Sequence, residues 1–289
     1  MTTTKAGGTT RVRGAVAAGY QTLAAAGIPA PAREARRLLA LAIGAPYLLL
    51  GPDDPVPVLA HRRYLRLLAA RARRVPLPLL EGGTGFLDFE VAVRPGVFIP
   101  RPETEELAER AIRILQGFPF PPAALDLGTG TGVLAIALAR ARPDARVVAV
   151  DVDGRAVACA RGNVRRLGLD RRIEVRRSDW FSRVSERSHL VVSNPPYVPT
   201  GDIPRLDPEV RRFEARRAVD GGPDGLSAVR ALLSQVGDHL WPGGAVLVEI
   251  GHGQGTAVLQ FARRCPGLVE MAVKRDLAGK ERFFVGRCG

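Results

Sequence analysis

Apolar positions in the first quarter of the chain recur with helical spacing. In "AREARRLLALAIG" Ala35, Leu38, Leu39 and Ala42 fall at i, i+3, i+4 and i+7, and "LAHRRYLRLLAARARR" repeats the pattern, which predicts helices between about Ala15 and Arg74. Gly44 and "GPDDPVP" interrupt them. The period then changes: "GFLDFEVAVRPGVFIP" alternates apolar and polar positions, punctuated by Gly85 and Pro95, and reads as a hairpin-like connector. A further helix is expected over "PETEELAERAIRIL", where Pro102 occupies the first turn and Glu103, Glu105 and Glu106 lie near the positive end of the helix dipole.

From Ala123 onward, strand-like runs alternate with helical ones. "AALDLG", "ARVVAVD", "RRIEVRR", "HLVVSN" and "GGAVLVEIG" read as strands, and "GVLAIALARA", "GRAVACARGNVRRLG", "LSAVRALLSQVGDHL" and "TAVLQFARR" as the helices between and after them. Such alternation predicts an α/β fold with a mostly parallel sheet covered on both faces. The tail, "VEMAVKRDLAGKERFFVG", reads as two strands joined by a glycine-containing loop, an antiparallel edge. The expected organisation is a helical domain over 1–78, a connector over 79–100 and an α/β domain over 101–289.

Composition narrows the class. With 289 residues and 46% apolar content the chain supports a large packed core. The start, "MTTTKAGGTTRVRG", is polar, and no run approaches the roughly 20 apolar residues of a membrane span, so a soluble cytoplasmic protein is expected. Cys159, Cys265 and Cys288, like the four histidines, are scattered, which suggests neither a disulfide framework nor a metal site. The formal charge of +13 invites a nucleic-acid reading, but the only lysines are Lys5, Lys274 and Lys280. Arginine pairs such as Arg171-Arg172 and Arg211-Arg212 are spread out, without interleaved aromatic residues. A generally basic, solvated surface is the simpler account; a real acidic partner, RNA or an RNA-associated protein, is the alternative.

The first α/β strand runs into "DLGTGTGVL", with Asp126, Gly128, Gly130 and Gly132 in the turn before a helix, where glycines let a backbone approach a ligand closely. No lysine follows, which excludes a P-loop, and Val133 stands where a dinucleotide loop needs a small residue. The pattern fits an adenosyl ligand without a pyrophosphate. Asp151, at the end of the next strand, has about the 20-residue spacing of a ribose-binding acid. A helix N-cap for "GRAVACA" is a second role for the same residue. Asp179 and Trp180 in "RSDWF" follow the third strand and are expected beside the adenine edge, Trp180 being otherwise a core aromatic. Together these features point to an S-adenosylmethionine site.

The fourth strand ends in "SNPPYVPT". Pro195 and Pro196 have no backbone N–H, so this loop keeps its carbonyl acceptors and gives up two donors. That suits a bound group that only donates hydrogen bonds, such as an –NH2; the bland alternative is a rigid turn. With the glycine loop, the motif resembles class I methyltransferases that modify a planar nitrogen. "GVFIPRPETEELAE", "LDLGTGTG", "SDWF", "NPPYV", "DGGPDGL", "VEIGHGQG" and "DLAGKERFFVGR" together resemble the release-factor glutamine N5-methyltransferase family (HemK/PrmC), over nearly the whole chain.

That resemblance implies methyl transfer from S-adenosylmethionine, leaving S-adenosylhomocysteine, to the glutamine side-chain amide in the Gly-Gly-Gln loop of peptide-chain release factors. No direct nucleic-acid substrate and no membrane partner are expected. By position it implies that Gly128, Thr129, Gly130, Thr131, Gly132 and Asp151 hold the cofactor with Asp179, Trp180 and Asn194, and that Asn194, Pro195, Pro196 and Tyr197 form the glutamine site. Asn194 Oδ1 and the Pro195 carbonyl are the expected acceptors of the two substrate N–H bonds, with Tyr197 packed on the amide plane. Two positions depart from the family pattern. Leu79 stands where a Tyr or His is usual between Pro76 and Gly82, and Ala215 follows Glu214 where a proline is usual. Both leave room for another protein substrate, such as a ribosomal protein, with a nucleic-acid amino group as a more distant alternative.

Overall fold

The computed structural model describes residues 10–289, so positions 1–9 of the polar start, with Lys5, lie outside the described residues. The chain divides into two compact units, the first ending at Gly82 and the second running from Gly83 to Gly289.

The first unit contains α1 (Val12–Ala25), α2 (Pro31–Ile43), α3 (Val58–Ala72) and the short α4 (Leu77–Glu81), which runs through the expected boundary at residue 78. Proline opens α2 where an N–H has no partner anyway, and Gly44 closes it in the left-handed region at φ +80°, donating to the Ala40 carbonyl at 2.9 Å. The stripe Ala35, Leu38, Leu39 and Ala42 is buried against Leu23 and Leu68. Each buried leucine contributes roughly 2 kcal/mol of transfer free energy. Tyr64 is fully buried and satisfies its hydroxyl by donating to the Ala15 carbonyl at 3.1 Å.

The second unit opens with an antiparallel hairpin, β1 (Gly83–Phe86) and β2 (Phe89–Ala92), followed by α5 (Pro102–Gln116). Strands β3 (Ala123–Leu127), β4 (Arg146–Asp151), β5 (Ile173–Arg177), β6 (Ser188–Ser193), β7 (Leu240–Glu249), β8 (Leu268–Arg275) and β9 (Glu281–Cys288) form one sheet in the order β5-β4-β3-β6-β7-β9-β8. The first five of these in spatial order are parallel, while β9 runs antiparallel to β7 and β8 forms the edge. Helices α6 (Val133–Ala141) and α7 (Gly154–Arg166) follow β3 and β4; α8 (Pro208–Phe213), α9 (Ser227–Leu233) and α10 (Gly255–Ala262) follow later.

Strand alternation divides the core into two layers. Ala124, Val192 and Leu247 pack with Leu107, Ile136 and Val157 on one face; Leu125, Val191 and Val246 pack with Val229, Leu232 and Val258 on the other. Helix α6 buries every residue from Val133 to Ala139, which explains why its sequence lacks a polar face.

Many arginines are used as carbonyl staples. Arg142 donates to the carbonyls of Leu115, Phe118 and Phe120 near the end of α5, and Arg161 donates twice to the Val175 carbonyl. A guanidinium carries five donors, so one side chain closes several orphan acceptors of a helix end. Among the described residues no helix is long and apolar enough to cross a membrane.

Candidate active site

The strand order reverses at β3. The chain moves outward through β4 and β5, then returns to place β6 on the other side of β3, and the register pairs Leu127 with Ser193. The loops after β3 and β6 therefore leave the sheet side by side, at the switch point where open α/β sheets form a crevice. "GTGTG" and "NPPY", distant in sequence, share one end of the sheet for this reason.

The glycine turn is built from hydrogen bonds to its own strands. Gly128 and Thr129 both donate to the Val150 carbonyl at 2.9 Å, and the Thr129 hydroxyl donates to Asp126 Oδ2 at 2.6 Å. Asp126 is fully buried and also receives the Ala135 N–H at 3.1 Å, while its Oδ1 has no partner. Burial pushes its carboxyl up to about 7, against the opposing pull of Thr129 and the Ala135 N–H. Gly128 and Gly130 adopt φ +72° and +56°, and a Cβ built on either meets nothing within 4 Å, so the turn faces open space. Gly132 differs: its φ is +88°, and a Cβ there would meet the Cβ of Ala160 at 3.2 Å, which makes it a packing position against α7.

Asp151 Oδ2 accepts the Gly130 N–H at 3.0 Å, and Oδ1 accepts the Asp153 N–H at 2.9 Å. Burial raises its pKa, with those two N–H groups pulling the other way. The cap of α7 is Asp153, whose side chain accepts the Arg155 N–H at 2.8 Å. This corrects the N-cap role considered for Asp151, because the helix starts at Gly154 and only Asp153 is adjacent to it.

A cleft of about 930 Å³, its mouth included, opens over this turn. Gly128, Thr129, Gly130, Thr131, Asp151, Asp179, Trp180, Asn194 and Pro196 line it; Gly132, Pro195 and Tyr197 do not. Its walls also include Val97, Phe98, Thr104 and Arg217, which the sequence reading did not single out. Trp180 takes φ +45°, a left-handed conformation uncommon for an aromatic residue, and packs partly against the core layer around Phe181.

The "NPPY" loop is held from behind by two glycine-containing segments. Val198 pairs with the segment ending at Asp220: its N–H donates to the Val219 carbonyl at 2.9 Å, and its carbonyl accepts the Gly221 N–H at 2.8 Å. Gln254 donates to the Tyr197 carbonyl at 2.9 Å while accepting the Gly251 N–H at 2.8 Å. These anchors bypass the Pro195 carbonyl. Asn194 Nδ2 donates to Thr104 Oγ1 at 2.9 Å, and the Tyr197 hydroxyl donates to Glu249 Oε1 at 3.0 Å, so Tyr197 is fixed by its hydroxyl.

Two further residues escaped the sequence reading. Asn163 on α7 accepts the Ala92 N–H at 2.8 Å and donates to the Thr131 carbonyl at 2.9 Å, tying the glycine turn to the hairpin. Arg101 pairs with the buried Glu214, joining "IPRPETE" to the segment before Ala215, itself on the cleft wall. Only their positions inside quoted motifs signalled Arg101, Thr104 and Glu249; nothing local marks Asn163.

The sheet order, the glycine turn at its switch point and the acid at the end of β4 define a class I S-adenosylmethionine-dependent methyltransferase. Residues 104–204 match the Methyltransferase small domain, and residues 15–82 match the PrmC N-terminal domain. The chain is 43% identical over 279 residues to the release factor glutamine methyltransferase of Cereibacter sphaeroides, covering 96% of this chain and 98% of that protein. It is 39% identical over 267 residues to that of Rhodospirillum rubrum, covering 92% and 81%. The chain belongs to the release factor glutamine methyltransferase family. A methyltransferase structure from Pyrococcus furiosus shares the fold at a TM-score of 0.52 and 18% identity, over 69% of this chain and 88% of that one.

Proposed function

We propose that this chain methylates the side-chain amide nitrogen of a glutamine in peptide-chain release factors, within their Gly-Gly-Gln loop, with S-adenosylmethionine as methyl donor. When bound, S-adenosylmethionine supplies an electrophilic methyl group on a positively charged sulfur.

The residues present suit that group. Gly128 and Gly130 leave open space above the turn, and the cleft opens directly over it. Each Asp151 oxygen accepts one N–H and keeps a second acceptor direction for a ribose hydroxyl. Trp180, Val97 and Phe98 give the apolar wall that an adenine ring needs.

The observation that carries the substrate assignment is the orientation of Asn194. Its NH2 is spent on Thr104, so the Asn194 oxygen is the half of the amide left to accept at the cleft. The Pro195 carbonyl, one residue on and outside the cleft lining, takes no backbone hydrogen bond, and we assign it the second N–H of a primary amide. An amide nitrogen is a poor nucleophile because its lone pair is delocalised into the carbonyl, so holding both hydrogens orients the nitrogen and stabilises positive charge developing on it. The helical unit, which carries Leu79, we assign to docking of the release factor, a reaction placed in the cytoplasm.

Purified protein with labelled S-adenosylmethionine tests this reading against a release factor, its Gly-Gly-Ala variant, ribosomal proteins and unmodified DNA. Label on the release factor, absent from the alanine variant, is expected. Label on a ribosomal protein or on DNA instead overturns the substrate assignment.

A further inference from the structure

Beneath the "NPPY" loop, a line of hydrogen bonds ends on Asn194. Asn194 Nδ2 donates to Thr104 Oγ1 at 2.9 Å, the Thr104 hydroxyl donates to Glu249 Oε2 at 3.3 Å, and the Tyr197 hydroxyl donates to Glu249 Oε1 at 3.0 Å. Three elements supply these groups: the loop after β6, the first turn of α5 and the end of β7. Thr104 and Glu249 are 2% and 1% exposed. Burying a carboxylate costs several kcal/mol, and a buried acid outside the reacting position calls for an account of what it does.

The direction of the line supplies one. An ionised carboxylate only accepts. With Glu249 accepting, the single hydroxyl hydrogen of Thr104 points at it, and the Thr104 oxygen is left to accept from Asn194. The Asn194 amide must then present its nitrogen to Thr104 and its oxygen to the cleft. An asparagine amide turned by half a rotation has nearly the same shape with oxygen and nitrogen exchanged, so packing alone discriminates poorly between the two states. In the reversed state Asn194 would offer N–H groups to a substrate that itself brings N–H groups.

We propose that Thr104 and Glu249 are positioning residues, whose directed hydrogen bonds lock the Asn194 amide with its oxygen toward the substrate. The inference rests on the reading of Asn194 as the substrate's acceptor. Tyr197 serves the same arrangement by occupying the other Glu249 oxygen, which keeps that carboxylate an acceptor on both sides.

The arrangement carries its own pH dependence. Burial pushes the Glu249 carboxyl up to about 7; Tyr197, Arg282 and Thr104 pull it down and Glu103 raises it. Once protonated, Glu249 has an O–H to donate to Thr104, the Thr104 hydrogen is freed to turn toward Asn194, and the amide reverses. Transfer therefore falls as pH drops through about 7 and levels off above it.

The test measures kcat, KM for the release factor, S-adenosylmethionine Kd and melting temperature for Thr104→Val, Thr104→Ser, Glu249→Gln and Asn194→Ala, with pH profiles from about 5.5 to 9. Thr104→Val, which keeps the shape and removes the hydroxyl, is expected to lower kcat about 10- to 100-fold with KM changed less than about 3-fold. Thr104→Ser recovers most of that loss. Glu249→Gln lowers kcat and removes the acid limb of the profile, a change of shape that does not depend on how much protein is folded. Unchanged kcat in Thr104→Val, or an acid limb that persists in Glu249→Gln, overturns the relay. If both turn over like the wild type while Asn194→Ala is inactive, the relay fails and the acceptor reading stands. Full activity in Asn194→Ala removes both.

Discussion

Gly225 is the position where the smallest change should disturb the reaction most. It adopts φ +76°, and a Cβ built there would lie 2.3 Å from the Tyr197 carbonyl oxygen and 2.5 Å from Gln254 Nε2. Both atoms belong to the hydrogen bond that holds the back of the "NPPY" loop. In Gly225→Ala the left-handed backbone costs about 1 kcal/mol, and loss of the Gln254 bond about another 1 kcal/mol. Stability should fall by about 2 kcal/mol, a melting shift of roughly 5 °C for a unit of this size. The larger effect is on rate. Relieving the contact requires the Tyr197 carbonyl to move by roughly 1 Å, two residues from Pro195, and a misplacement of that size costs about 100-fold in positioning-dependent catalysis. The matched control is Gly279→Ala, at φ +77° in the β8–β9 loop, where a Cβ meets nothing within 4 Å. It bears the backbone cost without the collision. Methyl transfer to a release factor, measured with S-adenosylmethionine saturating, should be lost in the first variant and kept in the second. Equal activity in the two variants would refute the claim that Gly225 is there to let the loop carbonyl approach.

The Asp126 carboxyl, raised to about 7 by burial, binds its proton more tightly folded than unfolded, so stability falls as pH rises from about 4 to about 7 and is flat above. At about 1.4 kcal/mol per pKa unit the loss reaches roughly 4 kcal/mol. Urea unfolding across that range should show Asp126→Asn with a shallower slope than the wild type, the residual belonging to the other acids whose pKa burial raises, Glu249 and Asp151 among them. Asn163→Leu leaves the Ala92 N–H and the Thr131 carbonyl without their partner, and should cost about 3 kcal/mol in urea unfolding while weakening S-adenosylmethionine binding.

Much of this protein could be read directly from its chain, because the relevant signals are local. The apolar period distinguishes α2 from β6; Pro31 and Gly44 delimit α2; and the glycines of "GTGTG" announce a backbone that must turn left-handed beside a ligand. The loop prolines declare which donors are missing. Even the antiparallel tail was legible, as two strand-like runs joined by a glycine-containing loop in "VEMAVKRDLAGKERFFVG". Such features depend on a residue and its near neighbours, and the chemistry of an N–H that is absent or a Cβ that is absent does not wait for the fold.

What surrounds the site was decided elsewhere. Thr104 and Glu249 sit 145 positions apart, and Asn163 and Ala92 sit 71 apart; each partnership exists only because α5 packs against β7 and α7 against β2. The N-cap is a smaller instance: Asp151 and Asp153 are equivalent by composition and both line the cleft, and only the start of α7 at Gly154 makes Asp153 the cap and leaves the Asp151 carboxylate to the glycine turn. Sequence determined which groups were available and which strand each loop would follow. The tertiary structure alone decided which way Asn194 faces, since a hydrogen bond's direction is set by what the partner of its partner can accept.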